Sequence, residues 1–331
     1  MSKRIVKMAT YNFIDLFCGA GGFSLGFYLT GKFKPVLAID NFKPAAETYK
    51  ANFPEALVLV EDIKSIREKE LSELVKPDQV DVIIGGPPCE PFTGANPSRQ
   101  KNPIDRLYVD PQGQLVLHFI RILGFYKPRV FIMENVPAIM EGELREALIR
   151  EFKRSGYERV YFNILNAEHY ETPSKRRRVF ISNIPINPPR SKRRVTVAEA
   201  LRDLPPPTPV IPNHDPPPEL PWRKLRKVAR KKWGEALVYF HGAKGLIPNL
   251  IKLDPDDVAP TVMGSSRFIH PFENRLLTVR EQARLMGFPD TFIFMGGRDV
   301  QYNMVGEAVP VPLAKAIALY VYEVLQSGKG V

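Results

Sequence analysis

Short apolar runs alternate with amphipathic stretches through the first half of the chain, and that alternation leaves few folds open. Candidate strands are FIDLF (13–17), VLAID (36–40), ALVLV (56–60), VDVIIG (80–85) and RVFIME (129–134), and VYFNIL (160–165) and RVFIS (178–182) continue the series. The segments between them have helical texture. KPAAETYKANF follows the second run, and GQLVLHFIRILGFY places Leu115, Val116, Phe119, Ile120 and Leu123 on one helical face. Strands separated by helices of this length specify an α/β layer with a parallel sheet.

After Ile186 the texture changes. PPPTPVIPNHDPPPELP (205–221) carries too many prolines for a helix or a central strand. It is either a low-complexity linker or an extended, rigid part of a small second domain. Helix-like sequence resumes at LTVREQARLMGF, and VPLAKAIALYVYEVL (311–325) has a strong helical stripe. The chain is therefore expected to leave the α/β domain near 190 and return near 275.

The chain has 331 residues, 44% of them hydrophobic and 25% charged, enough for a sizeable core. No apolar run approaches bilayer length, and MSKRIVKMATYNF has no signal-peptide core, so the default expectation is cytoplasmic with no membrane contact. Two cysteines cannot build a disulfide framework, and neither has a metal-ligand neighbour at short spacing, so no metal is expected. The formal net charge is +11. It is clustered in Lys175–Arg178, in Arg190 with Lys192–Arg194, and in a third group from Arg223 to Lys232. Clustering raises the expectation of a polyanionic partner.

Two turns carry chemistry. In FIDLFCGAGGFSLGF, Gly19, Gly21 and Gly22 follow a strand and open a helix, which lets backbone approach a ligand. The spacing differs from the dinucleotide fingerprint. Asp40 ends the next strand, where an acid binds ribose hydroxyls in nucleotide-binding α/β folds, and Asp62 ends the third. Together they favour an adenosine-containing cofactor. The second turn is IIGGPPCEPF (83–92), where Pro87 and Pro88 stiffen the backbone that presents Cys89 at the carboxyl edge of the sheet. Cys18 is read as a small buried hydrophobe.

These motifs, in this order, resemble the C5-cytosine methyltransferases, a family of DNA enzymes with a tRNA-modifying branch. DLFCGAGGFSLGF resembles the cofactor motif, GGPPCEPF the Pro-Cys motif, MENV (133–136) the Glu-Asn-Val motif and TPSKRRRVF (172–180) the arginine motif. RLLTVREQARLMGFP and QYNMVGEAVPVPLA (301–314) resemble the last two. The resemblance implies an S-adenosylmethionine-dependent methyltransferase fold, a Rossmann-like mixed sheet flanked by helices. Residues 1–190 plus 275–331 would form the catalytic and cofactor domain, and 191–274 the target-recognition domain.

It also implies roles. Cys89 would be the nucleophile at C6 of a flipped-out cytosine. Glu134 would bind N3 and N4 and supply the activating proton, Arg178 would contact O2, and Arg176 would support the site. Phe17 would pack on the adenine of S-adenosylmethionine, Asp40 would hold its ribose and Asp62 its amino group. Gly19, Gly21, Gly22, Pro88 and Asn303 complete the expected cofactor set. Residues 90–110 would form a mobile loop closing over the substrate, as their Gly, Pro, Asn and Ser content suggests. Trp222 and Trp233, interleaved with the third basic group, would suit phosphate contact and stacking, or else pack the small domain.

Three positions depart from the family pattern. Glu90 stands where Gln follows the Pro-Cys pair, Ser174 where Gln opens the arginine motif, and Glu307 where Asn belongs in the last. A carboxylate near a phosphate backbone repels it unless paired or turned away. The expected partner is double-stranded DNA and the expected state a monomer. The alternatives are the same chemistry on RNA, or an idle nucleic-acid-binding relative.

Overall fold

The computed structural model describes residues 10–243 and 245–328. Its larger sheet uses β1 (Tyr11–Leu16), β2 (Phe33–Ile39), β3 (Leu57–Leu59), β4 (Val82–Gly85), β5 (Val130–Asn135), β6 (Tyr161–Asn166) and β7 (Arg177–Ser182). Their order is β3-β2-β1-β4-β5-β7-β6. All pairings are parallel until β7, which runs antiparallel to both β5 and β6. The sheet is therefore mixed. Each strand lies where the apolar runs placed it, with one instructive difference at β2. Pro35 falls inside that central strand, and the β1–β2 register shifts between Phe13 and Ile14 to accommodate it.

The strands bury both faces by period-two alternation. Ile83, Phe131, Met133, Val179 and Ile181 point to one side with Phe119 and Leu123, while Val82, Ile84, Val130, Ile132 and Phe180 point to the other with Phe27, Leu313 and Ile317. Helices α1 (Gly22–Tyr28), α2 (Lys43–Asn52), α3 (Glu68–Leu74), α4 (Asp105–Tyr108), α5 (Leu115–Tyr126) and α6 (Leu144–Arg154) follow the early strands. On the first face, Phe131 of β5 stacks on Phe152 of α6 with ring centroids 5.0 Å apart. Burying one such ring contributes on the order of 1.5–3 kcal/mol.

The second lobe contains α7 (Val197–Leu201), α8 (Trp222–Val228) and a small sheet of β8 (Ala236–Gly242), β9 (Gly245–Lys252) and β10 (Phe268–Ile269). The chain returns through α9 (Val279–Arg284), α10 (Arg298–Glu307) and α11 (Val311–Ser327). The lobes share a core. Val197, Ala236, Ile251, Ala259 and Phe268 cluster with Tyr49, Phe53, Leu285 and Met304. The proline-rich stretch is the extended, rigid alternative of the two expected. His214 lies with Nδ1 2.8 Å from Thr278 Oγ1 and Nε2 2.9 Å from the Pro205 carbonyl, and buried Arg280 donates to the Pro212 carbonyl at 3.0 Å.

The helical stretch Arg298–Ser327 is long and apolar enough, by composition, to cross a bilayer, which reading the apolar runs alone did not suggest. Half of its most apolar window is buried within the protein, because α11 lies along α1 against the sheet. That crossing is tight. A Cβ on Gly26 would stand 2.3 Å from the Ala314 side chain and 2.6 Å from its backbone. Gly26→Ala is expected to cost about 1–3 kcal/mol by overpacking, measurable as a lower denaturation midpoint with unchanged denaturant slope.

Candidate active site

The strand order reverses between β1 and β4, and the loops leaving those strands part to form a cavity of about 810 Å³ at the carboxyl edge. β1 delivers Phe17 and Gly19, β2 delivers Asp40, β4 delivers Pro88 and Cys89, and β5 delivers Glu134. β7 runs the opposite way, so the beginning of that strand reaches the same edge and brings Arg176 and Arg178. Asp62, Asn303 and Glu307 complete the wall.

The glycine turn is more divided in its work than the sequence pattern implied. Phe17, expected to end a strand, instead adopts φ 60°, a left-handed conformation costly for a bulky residue. Gly19 also has positive φ, and a Cβ there would meet nothing within 4 Å, so this is the point where backbone lies open to the cavity. Gly21 has φ 89° and faces Tyr49 and Phe53, which a Cβ would strike at 2.6–2.9 Å. Its constraint is packing. At Gly22 a Cβ would meet the Val309 carbonyl at 2.6 Å.

Asp40 spans the two strand ends, accepting from Gly19 N at 2.8 Å and from Phe42 N at 2.9 Å. Burial pushes its pKa up, opposed by those two amide donors. Asp62 accepts from Lys64 N at 3.0 Å at the far end of the cavity. With Phe17, an open Gly19 and two carboxylates that retain lone pairs, this side fits an adenosine group with ribose hydroxyls and an exocyclic amine. With its amide turned so that the nitrogen is the donor, Asn303 donates to the carbonyls of Gly264 (2.6 Å) and Asp299 (3.2 Å), which commits the side chain to backbone.

Beneath the turn is a buried polar cluster with no counterpart in the motif reading. Ser24 Oγ donates to Asp15 Oδ2 at 2.6 Å and lies 2.7 Å from the Tyr49 hydroxyl. Burial raises the Asp15 pKa to about 8, with the Ser24 bond opposing it and Asp40 adding to it. Cys18 beside it is held a thiol by burial.

Opposite lies the second wall. Asn135 donates to the Pro87 carbonyl at 3.0 Å and accepts from Val136 N, locking the ends of β4 and β5 together. Glu134 Oε1 stands 2.9 Å from Arg178 Nε. Arg176 is fully enclosed and does not share that contact. Its Nη1 donates to the carbonyls of Val262 (2.9 Å) and Gly306 (2.8 Å), and Nη2 to that of Glu307 (3.2 Å). Burial and then the neighbouring Arg178 lower its pKa to about 9. Cys89 is partly exposed, and its pKa is pushed up to about 12 by burial, then Glu90 and Glu134, against Arg178 and Arg176. At rest Cys89 is thus a thiol.

Ser174 is structural. Buried, it donates to the Leu285 carbonyl at 2.7 Å, and its backbone bridges Ala259. The loop expected to be mobile is anchored in this structure. Arg106 donates to Glu141 at 2.7 Å and to the Gln100 carbonyl, while Arg99 donates to the Phe92 carbonyl. The β8–β9 hairpin reaches it, with Ala243 N donating to the Gly94 carbonyl at 2.8 Å.

The model of the C-5 cytosine-specific DNA methylases matches residues 11–208 and 219–323. The chain belongs to that family. It is a DNA cytosine-C5 methyltransferase, and the family uses S-adenosylmethionine. A Methanocaldococcus jannaschii protein with a provisional type II methyltransferase name is 51% identical over 93% of this chain and 97% of its own. The type II methyltransferase M1.HphI of Haemophilus parahaemolyticus is 34% identical over 96% and 88%. Among solved structures, one provisionally described as a prophage-encoded DNA modification methyltransferase of E. coli superposes with TM-score 0.75, 26% identity and coverage of 96% and 100%. An Entamoeba histolytica methyltransferase shares the fold at 17% identity, TM-score 0.68, covering 96% and 99%.

Two measurements probe this site. Glu90 helps to hold the methylase's thiol protonated, so Glu90→Gln should lower the Cys89 pKa and speed its alkylation by iodoacetamide near pH 8; an unchanged rate would remove Glu90 as a cause. The folded-state pKa of Asp15 lies above its ordinary value near 4. Its protonated form therefore stabilises the fold fully below pH 4, and that stability is lost as pH rises towards about 8. Asp15→Asn should flatten the unfolding free energy across that window in denaturant titrations at several pH values.

Proposed function

We propose that this methylase transfers the methyl group of S-adenosylmethionine to C5 of a cytosine flipped out of DNA, through a covalent bond from Cys89 to C6. One observation carries it: Cys89, Glu134 and Arg178 share a single cavity with Phe17, Gly19 and Asp40. A nucleophile, a ring-binding acid and an adenosine-type site thus meet at one sheet edge. Extrusion of the base costs a few kcal/mol in a duplex.

Phe17, Gly19, Asp40 and Asp62 would hold the cofactor, which supplies an electrophilic methyl group when bound. Cytosine C5 is too weak a nucleophile to take it unaided. Glu134 would grip N3 and N4 and deliver a proton to N3, drawing electrons away from C6. Arg178, which rests on Glu134, would turn its guanidinium to O2. The thiol then gives its proton to solvent and adds as a thiolate, formed only when the base is in place, because burial otherwise holds it protonated. Addition makes C5 enamine-like, so that C5 would take the methyl group; loss of the C5 proton and of the thiolate, with return of the N3 proton to Glu134, then restores the ring. This is covalent catalysis split into easier steps. A thiol held down until the base arrives would also resist adventitious oxidation.

Residues 191–274 would read the target. Trp222 is 61% exposed, with the guanidinium carbons of Arg226 and Arg223 5.6 and 5.9 Å from its ring centroid. That arrangement suits phosphate contact beside a stacking surface. Trp233 instead donates Nε1 to the Pro271 carbonyl at 3.0 Å and stays half exposed.

The experiment mixes the full chain with S-adenosylmethionine and either DNA or RNA containing 5-fluorocytosine. A denaturant-stable adduct should form on DNA and vanish with Cys89→Ala. An adduct on RNA alone would move the substrate to RNA. No adduct on either polymer, across varied sequences, would leave a binding protein.

A further inference from the structure

The reaction proposed above needs a group to remove the C5 proton, and neither Cys89 nor Glu134 is free to do so. Cys89 is bonded to C6 at that stage, and Glu134 is committed to N3 and N4. Of the other acids on the cavity wall, Asp15 is held by Ser24, Asp40 accepts from the amides of Gly19 and Phe42 and is assigned to the cofactor, and Glu61 and Asp62 follow β3 at the sheet edge, two strands beyond β1 from β4. Glu307 differs. It ends α10 and shares the cavity with Cys89, and among the described residues no side-chain hydrogen bond or ion pair holds its carboxyl. Its backbone is fixed by Arg176, whose Nη1 and Nη2 hold the Gly306 and Glu307 carbonyls. Its Oε1 stands 3.1 Å from the point where a Cβ on Gly264 would project.

Glu307 lines the same cavity as Cys89 and Glu90 on one side and Asp40 on the other, with Arg176 holding its backbone, so it borders the space that a base bonded to Cys89 would enter. We propose that Glu307 is the general base for the C5 proton, with exposed Glu90 as the outlet that passes the proton to water. The inference rests on the covalent reading above. In the step, the C5–H bond breaks and its proton goes to the Glu307 carboxylate. The electron pair forms C5=C6, the C6–S bond breaks, and Cys89 leaves as thiolate. The proton then moves to Glu90 and to solvent, and the carboxylate is restored.

The carboxyl is tuned for the task. Glu307 is exposed on the cavity wall, where partial desolvation, then Glu90 and Asp40, raise its pKa to about 7 against Arg176. A base near the working pH combines the right protonation state with proton affinity. It also gives the two departures from the family pattern one shared purpose. The family's amides at these positions cannot accept and hold a proton; two coupled carboxylates can.

The test compares wild type, Glu307→Gln and Glu90→Gln on unmethylated bacteriophage DNA, using methyl-labelled S-adenosylmethionine. Glu307→Gln should accumulate a denaturant-stable protein–DNA adduct that carries the label on ordinary cytosine. Its turnover should fall on the order of 10²-fold or more, and it should lack the rise in rate through about pH 7 that is expected of wild type. On DNA containing 5-fluorocytosine, where no proton can leave, the variant should still form adduct, which shows that it folds and adds Cys89. Wild-type turnover and pH profile in Glu307→Gln would overturn the proposal. So would labelled adduct in Glu90→Gln alone, or loss of the 5-fluorocytosine adduct in Glu307→Gln. Absence of any adduct with wild type would instead defeat the covalent reading itself.

Discussion

A buried guanidinium holds the two halves of the site in register. Arg176 enters from the start of β7, and its carbonyl partners come from the Val262 segment and the end of α10. A charge enclosed without partners would be prohibitively costly, and three carbonyls offset most of that desolvation. The offset is incomplete, because Nε has no partner and the pKa is drawn down to about 9. Two residues later Arg178 meets Glu134, and at the other end of the cage Glu307 faces the cavity. The start of β7, the Val262 segment and the end of α10 are therefore tied together by one side chain.

The sheet supplies the rest. Parallel strands deliver the glycine turn, Asp40, Cys89 and Glu134 to a common edge, and the reversal of strand order opens the space between them. Only because β7 runs antiparallel do the two arginines reach that edge as well. The electrostatics then favour restraint. Burial first, then Glu90 and Glu134 against Arg178 and Arg176, raises the Cys89 pKa, so its thiol is held protonated. Burial also raises Asp15, Asp40 and Glu307, with neighbouring carboxylates adding to it at Asp15 and Glu307. The cavity thus suits a cationic cofactor and carries its acidity in groups that can exchange protons near neutrality.

Much of this was legible in the residues. Period-two apolar runs identified all seven strands of the main sheet, since a strand buried on both faces has few other sequences available. The Pro-Cys, Glu-Asn-Val and glycine motifs named the family and most of the wall. Other features were not legible. Gly21 looks like a ligand-approach glycine, and only its distance to Tyr49 and Phe53 shows a packing role. Ser174 stood out only as a departure from the family pattern, and the fold shows that it closes a buried bond to the Leu285 carbonyl. The loop after Cys89 has the composition of a mobile segment, yet Arg99, Arg106 and the tip of the β8–β9 hairpin pin it.

The sequence by itself determined the strands, the order of the motifs and the chemical types presented at the sheet edge, because those follow from local period and from which side chains can add to, bind or protonate a base. Tertiary structure alone decided how the ionisable groups act on one another. Desolvation and charge coupling depend on distances between residues as far apart as Glu90 and Glu307, and no local pattern encodes them. At Glu307 the residue type was visible from the start, and its raised proton affinity came only from the fold.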